Sequence, residues 1–222
     1  MIAITFALPA ESSDLARLVR DGKIDNREVA IFHTGVGRES AQRTIDQFLG
    51  AQTPQLLISS GFAGAVRDDL DVGDLILAEN FSDRQFLSRA TEILASRQPR
   101  VVKLFTSTTM VESSEQRNEI ARDHGGDAVD METEAIAQVC RRRGIPMLSL
   151  RAISDSPHQP FPAPANVLFD VGQQRTDPQK LLAHLLKHPI AIRRLLRFAR
   201  QIKAVRSELT SAIVMLLRNT AL

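Results

Sequence analysis

The chain has 222 residues, of which 43% are hydrophobic and 24% are charged, and this balance predicts a globular protein with one sizeable domain. The formal net charge is +2, but without Trp or Tyr the chain offers few aromatic platforms for stacking bases, so we expect no nucleic-acid partner. A single cysteine, Cys140, excludes an internal disulfide and shows no metal-ligand spacing, which favours a reducing cytoplasm.

Short apolar runs and helical patterns alternate along the chain. The apolar runs predict strands at 2–7, 29–33, 55–60, 74–79, 101–106 and 147–153. Helical periodicity is predicted at 10–20, 38–49, 113–122 and 131–143. Such alternation predicts an α/β fold, with a twisted, mostly parallel mixed sheet flanked by helices in a single domain.

Carboxylates follow two of the apolar runs. Asp130 and Glu132 belong to AVDMETEAIA at 128–137, and Asp155 ends RAISD at 151–155. An extended backbone would point Asp130 and Glu132 to one face and Met131 to the other. Because open α/β sheets bind ligands at the carboxyl ends of their strands, the pattern predicts a polar cleft there.

Four blocks in this order carry a family resemblance: ALPAE at 7–11, SSGFAGA at 59–65, AVDMETEAIA and RAISD. They resemble the nucleoside phosphorylase/nucleosidase superfamily over roughly residues 1–160, and most of all its 5'-methylthioadenosine/S-adenosylhomocysteine nucleosidases. The resemblance implies a phosphorylase-like fold. It also implies a cytoplasmic homodimer that cleaves the N-glycosidic bond of an adenine nucleoside without a cofactor.

Two carboxylates carry the chemistry that the resemblance implies. Asp155 matches the general acid at purine N7, and Glu11 matches the group that positions and deprotonates the attacking water. Such a pair suits glycosidic cleavage, because one carboxyl group can assist the leaving group while the other activates the nucleophile. Structural alternatives are a helix cap or a partner of Arg151 for Asp155, and a first-turn helix glutamate for Glu11.

Substrate-binding positions are carried over in the same way. Glu132 matches the residue that holds the ribose hydroxyls, and Met131 the one that packs against the sugar. Without the resemblance, a surface glutamate and a core methionine would be the simpler interpretations. The remaining substrate-binding candidates are Met110 and Val111, expected at the end of the strand from Val101, and Ser59, Gly61 and Phe62 in the glycine block.

The nucleophile is left open by the sequence. Ser59 and Phe62 stand where hexameric purine nucleoside phosphorylases carry an Arg and a Ser that bind phosphate, which favours water. Arg38 and Gly37, after the first glycine pair, could supply a different phosphate site. Phosphorolysis therefore stays an alternative, including that of a lipid-linked adenosine as in hopanoid synthesis. An alternative from another class is a catalytically silent peripheral membrane or interaction module.

The segment 178–222 is predicted to be an amphipathic helical extension of the domain 1–177, broken at Pro189. Nine basic residues against Glu208 alone give it a net charge of +8, which leaves −6 for the rest of the chain. Its apolar stripe is expected to pack on the protein's own sheet or on a dimer partner. The alternative is peripheral contact with an anionic membrane.

Overall fold

A computed structural model describes residues 1–24, 29–159, 161, 164, 167, 174 and 189–219. The part of the predicted extension at 178–188, and the last residues 220–222, lie outside the described residues.

Within the described residues, eight strands form one mixed sheet. They are β1 (Ile2–Phe6), β2 (Val29–His33), β3 (Leu56–Ala65), β4 (Leu75–Ala78), β5 (Arg100–Val102), β6 (Leu104–Thr106), β7 (Ala128–Asp130) and β8 (Met147–Asp155). The strand order is β2-β1-β3-β8-β4-β5, while β7 pairs with β3 and β6. Strands β1, β2, β3 and β8 run parallel, so their carboxyl ends meet at one edge. The β4–β8 and β3–β7 pairs are antiparallel, which makes the sheet mixed as predicted.

Six α-helices lie in the part of the chain that the structure describes. They are α1 (Pro9–Arg20), α2 (Arg38–Ala51), α3 (Arg84–Ile93), α4 (Ser114–Glu119), α5 (Thr133–Arg143) and α6 (Pro189–Asn219). A π-helical turn, Ile120–His124, follows α4. Helix α6 begins at Pro189, because proline has no N–H to lose in the first turn of a helix.

Several predicted boundaries are wrong. The third strand continues to Ala65, because its small residues pair with both β7 and β8 beyond Ser60. The strand expected at 101–106 is divided at Lys103 into β5 and β6, so Met110 lies in a loop rather than at a strand end. Helix α3 was not predicted; Asp83 caps it by accepting hydrogen bonds from the backbone N–H groups of its first turn.

The second half of α6 belongs to the main hydrophobic core. Its buried residues pack with those of β1, β3, β4 and β8: Val205, Leu209, Ala212, Ile213 and Leu216. The expectation that the apolar stripe packs on the protein's own sheet is thereby met for this half. In the first half, Ile192 and Leu196 are exposed.

Candidate active site

A cavity of about 420 Å³ lies where β1, β3 and β8 end. It falls in the usual size range of small-molecule sites. Seven of the residues predicted for the site line it: Glu11, Phe62, Met110, Val111, Met131, Glu132 and Asp155. The structure therefore brings together the acid, the base and the ribose-binding carboxylate that the resemblance implies.

Four predicted residues do not line the cavity. Ser59 is fully buried beneath it, where its hydroxyl accepts a hydrogen bond from Arg151 Nη2 at 3.0 Å. Gly61 also lies behind the wall, and a Cβ there would come within 2.6 Å of Arg151 Nη1. Gly37 donates its N–H to Glu132, and Arg38 binds Glu134. In the structure these four residues therefore lie outside the cavity, and their assignment to substrate or phosphate binding stays a prediction.

Asp155 ends β8 and is almost fully buried, yet its carboxylate borders the cavity. One oxygen, Oδ1, accepts a hydrogen bond from the Ser154 hydroxyl at 2.7 Å. The other, Oδ2, lies 2.5 Å from Nη2 of Arg117, a buried arginine on α4. The arginine considered as its partner from sequence, Arg151, pairs with Asp130 instead. Sequence reasoning missed Arg117, because it stands in a polar stretch typical of a surface helix.

Glu11 occupies the first turn of α1, directly after β1. Its Oε2 accepts the backbone N–H of Leu8 at 2.9 Å, and its Oε1 accepts that of Phe62 at 3.4 Å. Burial raises the pKa of Glu11 above its ordinary value, despite the opposing effect of these hydrogen bonds. The residue thus binds the N-terminus of its own helix and also faces the cavity. A carboxylate with a raised pKa is a better proton acceptor.

Glu132 immediately precedes α5, and its Oε1 accepts the N–H of Gly37 at 2.8 Å. Burial, followed by the neighbouring Asp130 carboxylate, raises the pKa of Glu132 to about 8. In the empty cavity burial thus favours the protonated form of this carboxyl group. Ribose hydroxyls that donate to this carboxyl group favour its ionised form, whose oxygens accept both hydrogen bonds.

The expected alternation through Asp130, Met131 and Glu132 is wrong. The strand ends at Asp130, and Glu132 has φ −129° and ψ −35°, which is no longer extended backbone. All three residues consequently border the cavity. Met131 is half-buried in the wall, as expected for a residue that packs against a ligand.

A buried polar network lies under the cavity around Arg151. Its Nη2 lies 2.9 Å from Asp130 Oδ2 and 2.6 Å from the Thr133 hydroxyl. Asp130 also accepts a hydrogen bond from the Thr106 hydroxyl at 2.8 Å. Because Asp130 is fully engaged, it acts as the counter-ion of Arg151 rather than as a free ligand group.

Three aromatic and aliphatic side chains that sequence reasoning did not assign to the site complete the wall. Phe198 and Ile202 come from α6, and Phe161 packs edge-to-face on Phe198 with ring centroids 5.8 Å apart. Gln201, beside them on α6, donates a hydrogen bond to the Ser154 carbonyl at 3.0 Å. The apolar periodicity of the tail was the sequence signal for this helix, and it included Ile202. It did not indicate that Ile202 lies at the cavity.

Neither a metal site nor a membrane span is found in the described part of the chain. No group of three His, Cys, Asp or Glu side chains there could hold a metal ion. Among the same residues, no helix is both long and apolar enough to cross a membrane.

The model of the Phosphorylase superfamily matches residues 7–101 and 94–188 of the chain. The chain belongs to this superfamily. The match includes the loops and strand ends that carry Glu11, Glu132 and Asp155, and it confirms the resemblance drawn from the sequence blocks.

Curated relatives of this superfamily member are nucleosidases. The 5'-methylthioadenosine/S-adenosylhomocysteine nucleosidase of Haemophilus influenzae is 27% identical over 174 residues, which are 65% of this chain and 76% of that protein. The enzyme of the same name from Staphylococcus epidermidis is 25% identical over 196 residues, covering 70% and 86% of the two chains.

Solved structures of the superfamily share the fold. The S-adenosylhomocysteine nucleosidase of Streptococcus pyogenes superimposes with a TM-score of 0.73 at 19% identity, covering 100% of this chain and 97% of that chain. The futalosine hydrolase of Helicobacter pylori gives a TM-score of 0.72 at 16% identity, covering 98% and 97%. The predicted phosphorylase-like fold is thereby confirmed.

Proposed function

We propose that this protein hydrolyses the N-glycosidic bond of adenine nucleosides of the methylthioadenosine and adenosylhomocysteine kind, releasing adenine. The observation that carries the proposal is the convergence of Asp155, Glu11 and Glu132 on one cavity in a member of the Phosphorylase superfamily. Two relatives that match this chain over most of their own length are named as nucleosidases, and this supports the reaction class.

Each carboxyl group has a separate task in the proposed reaction. Asp155 shares a proton with purine N7, so that the base leaves with the electrons of the C1'–N9 bond. Water adds to the resulting cationic C1', and Glu11 accepts its proton. Glu132 holds the ribose hydroxyls by accepting a hydrogen bond from each of them.

Water suits this cavity better than phosphate does. The guanidinium of Arg38 already binds Glu134 at 2.7 Å, and that of Arg151 is paired with Asp130 beneath the cavity. Neither offers the bidentate fork that holds a phosphate group. Phosphorolysis is therefore the less favoured alternative.

The apolar wall supports a substrate with an apolar 5' group. Phe161, Phe198 and Ile202 contribute no charge and no hydrogen-bond donor to the cavity. A methylthio group buries its surface there without losing hydrogen bonds to water. A lipid-linked adenosine, the second candidate substrate, is favoured by the exposed Ile192 and Leu196, which lie on the same helix as part of this wall.

We include a cytoplasmic location and a homodimer in the proposal. The sole cysteine, Cys140, is buried and unpaired, as suits a reducing compartment. Cell fractionation tests the location. Light scattering coupled to size-exclusion chromatography tests the dimer, and a mass near the 24.6 kDa of one chain would refute it.

Peripheral membrane contact is the remaining part of the proposal, and it concerns the first half of α6. Ile192 and Leu196 are exposed there beside Arg193, Arg194 and Arg197. Basic residues near an anionic surface can contribute about 1 kcal/mol each, and salt weakens the attraction. Sedimentation with anionic and neutral vesicles at low and high salt tests it. Equal binding to both kinds of vesicle would refute it.

The reaction is tested by product analysis. The pure protein is incubated with methylthioadenosine, adenosylhomocysteine and inosine, with and without phosphate, beside an Asp155→Asn control. We expect free adenine and the free sugar, independent of phosphate. Formation of a sugar 1-phosphate would establish phosphorolysis instead, and no cleavage of any nucleoside would favour the catalytically silent module.

A further inference from the structure

The ion pair between Arg117 and Asp155 is buried on both sides. The two side chains are 2% and 3% exposed, and Nη2 of the arginine lies 2.5 Å from Oδ2 of the carboxylate. Burying an ionised carboxylate is costly unless a partner compensates its charge. Among the described residues, Arg117 is the only cation recorded in contact with Asp155.

The guanidinium of Arg117 is itself fixed by three parts of the fold. Nη1 donates a hydrogen bond to the carbonyl of Ala65, at the end of β3. Nη2 approaches the carbonyl of Val111 at 3.5 Å, in the loop that also lines the cavity. Together with Asp155 at the end of β8, these contacts hold the arginine across two strand ends and a loop.

Capping hydrogen bonds at the start of α4 fix the position of Arg117. The Ser113 hydroxyl accepts the N–H of Gln116 at 3.2 Å, and the Gln116 side chain accepts the N–H of Ser113 at 3.1 Å. This reciprocal capping fixes the first turn of a helix that is otherwise short. Arg117 is the next residue, so its backbone is held where the guanidinium reaches Asp155.

The neighbouring backbone leaves just enough room for the pair. A Cβ at Gly64 would lie 3.0 Å from Asp155 Oδ2 and 3.2 Å from Arg117 Nη1. A side chain at this position would press on both groups. Arg117 does not border the cavity, whereas Asp155 does. The arginine therefore reaches the substrate only through the carboxylate.

We propose that Arg117 is a positioning residue that acts through Asp155, fixing Oδ2 and compensating its charge so that the carboxylate meets the leaving purine in one orientation. This inference rests on the proposed function. Oδ2 accepts a hydrogen bond from Arg117 and Oδ1 accepts one from Ser154, so the orientation of the carboxyl group is fixed at the border of the cavity. The carboxyl group of fixed orientation then shares its proton with purine N7, because an ionised carboxylate and an unprotonated N7 are both hydrogen-bond acceptors and cannot bond each other directly.

The consequence is specific to the leaving group. A purine needs the hydrogen bond or proton at N7 to depart, whereas 4-nitrophenolate departs as a stable anion without that help. Loss of Arg117 should therefore slow cleavage of purine nucleosides and leave cleavage of a 4-nitrophenyl riboside nearly unchanged. A merely structural arginine would affect both substrates equally.

The experiment compares Arg117→Met with the wild type on methylthioadenosine and 4-nitrophenyl β-D-riboside. We expect kcat on the nucleoside to fall about 10- to 100-fold with KM within about threefold, and the nitrophenyl rate to change less than about threefold. Arg117→Lys, which keeps the charge but not the fork, should recover part of the loss. Arg122→Met is the matched control, because Arg122 is exposed nearby on the π-helical turn and pairs with Asp123.

A double-variant cycle provides the second measurement. In the Asp155→Asn background, Arg117→Met should cause no further loss on methylthioadenosine, because its effect passes through the carboxylate. This double variant also removes both buried charges, and thermal melting checks that each protein is folded. If Arg117→Met alone does not fold, Arg117→Lys takes its place in the cycle. If the wild type does not cleave the nitrophenyl riboside, the cycle decides the proposal.

Three results would overturn the inference: equal losses on both substrates, additive losses in the cycle, or an unchanged rate in Arg117→Met. In each of them the wild type still cleaves nucleosides, so the proposed function survives. A wild-type protein that cleaves neither purine nucleoside nor nitrophenyl riboside would instead refute the proposed function, and the inference with it.

Discussion

Asp130 and Arg151 form a buried ion pair under the cavity, with Oδ2 and Nη2 separated by 2.9 Å and both side chains at most 2% exposed. The two residues belong to two of the sequence blocks that carry the family resemblance, AVDMETEAIA and RAISD. Their contact joins the end of β7 to the middle of β8 and supports the cavity from below.

Asp130→Ala is expected to destabilise the fold strongly, because it leaves the buried Arg151 guanidinium without its counter-ion. Removing one partner of a buried pair typically costs about 3–5 kcal/mol in free energy of unfolding. Urea denaturation measures it. Asp46→Ala, which removes the partly exposed partner of Arg142 and Arg143, should cost less than about 1 kcal/mol. Similar costs for the two variants would contradict the structural role of Asp130.

Asp155→Asn is expected to lower the free energy of unfolding, because it leaves the buried Arg117 without its counter-ion, and the folded variant should turn over methylthioadenosine at least about 100-fold more slowly, the lower range for losing a general acid. Steady-state kinetics with release of adenine measures it. Asp68→Asn is the control, since the Asp68 side chain is 81% exposed. Near-normal turnover of Asp155→Asn on good nucleosides would remove this residue from the mechanism.

Glu11→Gln and Glu132→Gln are expected to fail in different ways. Glu11→Gln should lower turnover while nucleoside still binds, because the amide cannot take the proton of water. Glu132→Gln should weaken binding of adenosine more than binding of free adenine, because only adenosine carries the ribose hydroxyls. Calorimetric titration with both ligands measures the difference. Equal losses of affinity in Glu132→Gln would contradict the ribose assignment.

The stability of the protein should depend on pH through Glu132. Its pKa is about 8 in the folded protein and 4.5 as the ordinary value, so between these pH values the folded state holds a proton that the unfolded state has released. The free energy of unfolding therefore falls as pH rises through this window, by up to about 1.4 kcal/mol per pH unit for one group. The raised pKa of Glu11 acts in the same direction.

Denaturation of Glu132→Gln between pH 5 and about 8 checks this sign, because glutamine carries no titrating proton. The variant should show a flatter dependence than the wild type. Glu39→Gln, at an exposed position on α2, should keep the wild-type slope. An identical slope in Glu132→Gln and the wild type would disprove the linkage.

The two halves of α6 should respond differently to truncation of a leucine. Leu209 is 1% exposed in the main core, and Leu196 is 56% exposed. Leu209→Ala is expected to cost about 2–5 kcal/mol of unfolding free energy through the cavity it leaves. Leu196→Ala should change it by less than about 0.5 kcal/mol, as is usual at the surface. A large loss at Leu196 would show that this face is covered in solution.

The sequence by itself determined the α/β class, most of the strands and the family, which the superfamily match confirms. It also placed Asp155 at the end of a strand and Glu11 just after one. These features are local in the chain, since apolar runs predict strands and the parallel arrangement then brings their carboxyl ends together. The family could be recognised because each of its motifs consists of a few adjacent residues, and four such motifs occur in the family's order.

Only the tertiary structure decided which side chains meet across distant elements. Nothing in the sequence around Arg117 distinguishes it from a surface arginine, yet packing of α4 buries it against Asp155. Ser59, expected among the substrate-binding residues, is buried and binds Arg151, whereas Phe198 of α6 lines the cavity without having been predicted. Such contacts depend on long-range packing and on the burial of charge, and neither is encoded in the spacing of neighbouring residues.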